Sequence, residues 1–138
     1  MKNSLLVSAV IVFAIASSAL CKTDAMTDLN AAIEAAKPEQ KALFIMYGRQ
    51  ACGNCQALRS LIDKKAVRLP KTDFVIVEIN CDDPAQSKEF RSRYTVSGNA
   101  LPFVVIAKSD GTQLASRSGY GTAAKFNEFI RDARKDLK

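Results

Sequence analysis

The sequence has 138 residues, enough for one domain with a proper core even after loss of a leader segment. Apolar content is ordinary, Pro and Gly are sparse, and four cysteines (21, 52, 55 and 81) are too few to staple a chain of this size, which excludes disorder and a disulfide scaffold. Histidine is absent, which removes every Ser–His or Cys–His nucleophile pair and every His-containing metal site; the net charge of +6 is scattered among acids, without the stacking aromatics of a nucleic-acid stripe.

Met1–Leu20 is expected to be a signal peptide. Lys2 is its only charge, Leu5–Ala16 is an apolar run of about a dozen residues, and Ser17, Ser18 and Ala19 are small. Cleavage is expected after Ala19, with Ser18 as the alternative. A membrane span needs roughly 20 apolar residues, so an uncleaved anchor is the lesser reading. Lipidation of Cys21 is a third reading, and Leu20 fits it badly because a small residue should precede the cysteine. The leader implies an exported protein, periplasmic or secreted, in a compartment where disulfides persist.

A helix is expected over Thr27–Lys37, capped by Thr27 or Asp28 and closed by Pro38. Ala42–Tyr47 reads as a buried strand ending at Gly48. Cys52-Gly53-Asn54-Cys55 follows, opening a helix from Gly53 to about Lys65 that Leu69-Pro70 breaks. Two sulfurs at this spacing form and break a disulfide, and the first sits where unpaired helix N–H groups favour a thiolate. Phe74–Asn80 reads as a second strand. Asp83-Pro84 starts a helix running to about Tyr94, with Pro at the first helical position. Pro102–Ala107 is a third strand, Ser109-Asp110-Gly111 a turn, Thr112–Ser116 a short strand, and Thr122 caps a last amphipathic helix. The order predicts an α/β domain with parallel pairing between helix-connected strands and a late antiparallel hairpin.

Taken jointly, the chain from Thr27 to Leu137 resembles the thioredoxin superfamily. The features that carry this are the strand leading to C-x-x-C, Asn80-Cys81-Asp82-Asp83-Pro84, Tyr94–Gly98 leading to Leu101-Pro102-Phe103, and the Asp110-Gly111 hairpin. The resemblance implies a central mixed sheet flanked by helices over residues 21–138, and a thiol–disulfide oxidoreductase that needs no cofactor or metal. It implies a cis bond before Pro102 and pairing of an extended substrate segment with the Leu101 backbone. Ala51 and Met46 depart from the family, which often has a tryptophan and a buried acid there.

Cys52 is expected to be the nucleophile and Cys55 the buried resolving thiol. Glu78, at an inward-looking strand position, is expected to accept the Cys55 proton; its bland reading is a solvent-facing or lysine-paired carboxylate. Arg49, three residues before Cys52, would lower a thiol pKa if it pointed inward, and solvent is its simpler destination. Tyr47 and Phe103 read as core or groove lining, and Cys81 as a buried free thiol, with a Cys21–Cys81 disulfide as the lesser reading. Protein thiols and disulfides and a separate electron-transfer partner are the expected partners of a monomer, with no nucleic acid. The alternative is a non-catalytic binding or chaperone-like module with a structural C-x-x-C disulfide. Reductase is favoured over oxidase because no histidine flanks the cysteines.

Overall fold

The computed structural model describes residues 24–137, so the expected leader and Cys21 lie outside the described residues. Four helices and four strands follow one another: α1 (Leu29–Ala36), β1 (Ala42–Gly48), α2 (Gly53–Asp63), β2 (Phe74–Asn80), α3 (Pro84–Arg93), β3 (Phe103–Ala107), β4 (Gln113–Ser118) and α4 (Ala123–Ala133), with a 3₁₀ turn over Arg134–Leu137. No helix among the described residues is long and apolar enough to cross a membrane.

The strands form one mixed sheet in the order β2-β1-β3-β4. β1 and β2 are parallel, with Met46 opposite Glu78, while β3 runs antiparallel to both β1 and β4. The parallel pairing expected of helix-connected strands therefore holds for β1 and β2 and fails for β3. The cause is the stretch from Tyr94 to Pro102. It carries the chain from the end of α3 back to the end of the sheet where β1 and β2 finish, so β3 starts opposite Tyr47. Met26 adds an unanticipated bridge to Val77, its N–H and C=O bonding Ile76 O and Glu78 N at 2.9 and 2.8 Å. That contact covers part of the exposed edge of β2.

Every residue of β1 is buried, because helices cover both faces of the sheet. Alternate strand residues serve the two sides. Leu43, Ile45 and Tyr47 join Val77, Ile79 and Phe103 against Leu29, Ile33 and Phe90 of α1 and α3. Ala42, Phe44 and Met46 join Phe74, Ile76 and Val104 against Leu58, Ile62 and Phe126 of α2 and α4. Position 78 falls on this second side, beneath α2.

The helix starts follow local chemistry. Asp28, Asp83 and Thr122 are N-caps whose side chains accept N–H groups of the first turn, and Pro84 occupies the first turn of α3. The Asp110-Gly111 turn needs Gly111 at φ +88, and the buried Tyr94 hydroxyl donates to Gly111 O at 2.8 Å, tying the turn to the end of α3.

Candidate active site

The two cysteines lie where β1 hands the chain to α2. Cys52 is the N-cap residue of α2, in extended conformation, and its Sγ accepts the Cys55 N–H at 3.2 Å. An N–H donor at a helix start is a favourable partner for negative charge on sulfur. Cys52 is half-buried rather than fully exposed, and Cys55, one turn on, is fully buried. Both are free thiols.

Burial is the main reason the Cys55 thiol is pushed up to about 11, and its hydrogen bond with Cys52 adds to this. A backbone hydrogen bond from Arg49 and the Arg59 cation act the other way. The pair is thus asymmetric, one sulfur reachable and the other enclosed.

Gly48 makes that enclosure close-fitting. A Cβ at this position would stand 2.7 Å from Cys55 Sγ and 4.0 Å from Pro102 Cβ, so only glycine lets the end of β1 pass between them. The Leu101–Pro102 bond is cis; Pro102 is buried and Leu101 half-buried. The loop before β3 is thereby brought against the cysteine turn.

Glu78 lies beside Met46 across the β1–β2 register and is half-buried. Its Oε2 accepts from Arg59 Nε at 2.7 Å. The partner is thus an arginine of α2, neither solvent nor a lysine. Arg59 stands four residues after Cys55, on the same helical face, which is why its charge reaches the thiol. Its Nη1 is buried with no hydrogen-bond partner among the described residues. A cavity of about 240 Å³ borders the pair. Arg59 belongs to no motif of the sequence; its i, i+4 spacing from Cys55 is the one signal the chain carries for it.

Arg49 lies beside the Cys81 thiol and approaches Asp82 Oδ1 at 3.3 Å instead of extending freely into solvent. Those contacts, with a smaller contribution from Cys52, raise its pKa. Cys81 is not the buried thiol expected of it. It is half-buried because it follows the last residue of β2, where the sheet no longer covers it. Tyr47 and Phe103 are core residues, and the Tyr47 hydroxyl also shares a 2.7 Å hydrogen bond with Ser87 Oγ. Among the described residues no group of three or more Cys, Asp or Glu side chains is arranged to hold a metal.

Comparison with solved structures finds the same fold in thioredoxins. A thioredoxin variant from Halobacterium salinarum superposes with a TM-score of 0.58 at 18% identity, over 78% of this chain and 87% of that one. The germline-specific thioredoxin Deadhead of Drosophila melanogaster gives 0.60 at 20% identity, over 78% and 96%. A thioredoxin of Arabidopsis thaliana in its oxidised state gives 0.56 at 16% identity, over 75% and 84%. At these identities the likeness is one of fold. No curated protein matches the chain. The sequence matches the thioredoxin-like domain family over residues 29–134. That match and the Cys52–Cys55 spacing together support a thiol–disulfide oxidoreductase type of function. Because the match takes in every helix and strand of the fold, the chain belongs to the thioredoxin-like domain family.

Proposed function

We propose that this protein is an exported thiol–disulfide oxidoreductase that reduces protein disulfides with its Cys52/Cys55 dithiol. The observation that carries the reading is the pairing of unequal thiols: Cys52 Sγ at the α2 N-cap, accepting the Cys55 N–H at 3.2 Å, above a fully buried Cys55.

Cys52, as thiolate, attacks one sulfur of a substrate disulfide. A mixed disulfide forms, and the other substrate sulfur leaves as a thiolate that takes up a proton. Cys55 then gives up its proton and attacks Cys52 Sγ. The second substrate thiolate departs, and two electrons have passed from the protein to the substrate. Glu78 is the proposed acceptor of the Cys55 proton, with Arg59 favouring the Cys55 thiolate and holding the carboxylate. Leu101, preceding the cis Pro102, is the proposed backbone partner of an extended substrate segment. A separate dithiol electron donor returns the protein to its reduced form.

The direction of electron flow rests on the absence of histidine beside the cysteines, and export on the Lys2 to Ala19 leader. The same reading has the protein acting as a monomer without a bound cofactor.

Insulin-type disulfide reduction tests the assignment. Cys52→Ser is expected to abolish turnover, and Cys55→Ser to accumulate a mixed disulfide with substrate. Retained turnover in Cys52→Ser overturns it. The equilibrium potential of the pair against glutathione, measured on the leaderless protein, separates reductase from oxidase within roughly −270 to −120 mV.

A further inference from the structure

Beside the cysteine turn, on the side away from α2, lies a cavity of about 340 Å³. Leu101 forms part of its wall, so it adjoins the segment proposed to pair with substrate. Tyr47, Arg49, Cys81, Ser87 and Arg91 also line it.

Arg91 is held in place there. Its Nε donates to Tyr47 Oη at 3.1 Å, and its guanidinium carbon lies 5.5 Å from the Tyr47 ring centroid. Tyr47 is itself anchored in the core, 3% exposed, stacked on Phe90 with ring centroids 4.5 Å apart. Ser87, one turn before Arg91 on α3, bonds the same hydroxyl at 2.7 Å. The hydroxyl and the ring take up one edge and one face of the guanidinium and leave its charge unneutralised. No carboxylate among the described residues is within ion-pair distance of Arg91.

Arg49 enters from the cysteine loop. Its ion pair with Asp82 is about half-exposed on both sides and is readily exchanged for another carboxylate. Two guanidinium groups thus line the cavity, and no carboxylate is among its lining residues.

We propose that this cavity is a subsite for an acidic substrate side chain, so that protein disulfides whose cysteine is flanked by Asp or Glu are preferred. The proposal rests on the thiol–disulfide reading above and adds to it the class of substrate. An extended segment lying along Leu101 sends alternate side chains to opposite faces. One of the residues next to the attacked cysteine is thereby presented to Arg91 and Arg49. A carboxylate there accepts charge-assisted hydrogen bonds from guanidinium groups, which a neutral amide receives only weakly.

The experiment uses one Cys-containing peptide, as its mixed disulfide with a chromogenic aromatic thiol, in three forms. The residues flanking the cysteine are Glu, Gln or Lys. The second-order rate constant for reaction with the prereduced protein in a single turnover is expected to be about threefold to tenfold higher for the Glu than for the Gln form, with the Lys form below the Gln form. Added salt is expected to shrink the ratio. Because ratios are taken within each protein, a general loss of activity in a variant does not enter. Arg91→Gln is expected to bring the ratio near one, and Arg91→Lys to recover part of it. Lys64→Gln, which removes the same charge at the far end of α2, is expected to keep the wild-type ratio. A wild-type ratio of one, or a preference that Arg91→Gln leaves in place, overturns the subsite while leaving the oxidoreductase intact. A preference lost equally in Lys64→Gln assigns it to overall charge and also overturns the subsite. Failure to reduce any of the peptides overturns the oxidoreductase reading itself.

Discussion

Two sulfurs in one turn of chain have unequal surroundings. Cys52 has an N–H donor and an open side, whereas Cys55 is enclosed and its thiol is pushed up to about 11. In the proposed mechanism the resolving step begins from a thiol that holds its proton at neutral pH, so groups that favour its ionisation are expected to speed that step. The Arg49 backbone N–H and the Arg59 cation both act in that direction; Arg59 is the side chain of the two, and Glu78 holds it at 2.7 Å. Arg59→Met is expected to slow release of the Cys52 mixed disulfide by about threefold to tenfold, one pKa unit on Cys55 being worth tenfold in thiolate. The first attack by Cys52, read by alkylation, is expected to change little. Glu78→Gln separates two roles for the carboxylate: slower release at pH 7 that recovers as pH rises marks a proton acceptor, and unchanged rates mark an anchor for Arg59. A resolving step unaltered in Arg59→Met would remove the cation from the mechanism. The placement of Cys52 at a helix start, Cys55 one turn on and Pro102 after a cis bond was legible because short-range order and resemblance fix it. Arg59 was not, because its meaning depends on α2 lying over position 78 of β2.

Elements meet at this site through the smallest residue in it. β1 ends at Gly48, α2 carries Cys55 down onto it, and Pro102 closes from the β3 side. With 2.7 Å between a hypothetical Cβ and Cys55 Sγ, Gly48→Ala obliges either the strand end or the start of α2 to move. The expected cost is about 1–3 kcal/mol, measured as a lower urea midpoint at unchanged m-value. Mixed-disulfide resolution is expected to weaken with it, since Cys55 is the atom displaced. A Gly48→Ala protein as stable and active as wild type would show that the contact relaxes freely. Most elements could be read in advance from continuous apolar runs in β1, β2 and β3, and from the caps Asp83-Pro84 and Thr122. Their ends shifted by a residue or two, as fraying ends do. The direction of β3 could not be read. It depends on the course of Thr95–Pro102, a segment without periodicity whose path is set by what it packs against.

At the scale of the whole molecule, a sheet covered on both faces encloses ionisable groups along with its apolar core, and that ties stability to pH. Burial raises Cys55 from 9.0 to about 11 and Tyr94 from 10.0 to about 12. Both groups are neutral when protonated, so the fold favours the protonated form. Between the two values for each group the unfolded chain has released its proton and the folded one has not. The unfolded state then binds fewer protons, and stability falls as pH rises. The contribution of Cys55 is complete below about pH 9 and lost on the way to about 11; that of Tyr94 follows roughly one unit higher. Oxidation of the Cys52–Cys55 pair removes the first contribution and leaves the second. Denaturant midpoints of the reduced protein are therefore expected to hold steady to about pH 8 and then decline, with the oxidised protein declining later. All other groups are common to the two forms, so the difference between the two curves isolates the dithiol. Curves that fall in parallel from pH 9 would show that the enclosed thiol does not set the alkaline limit of the fold.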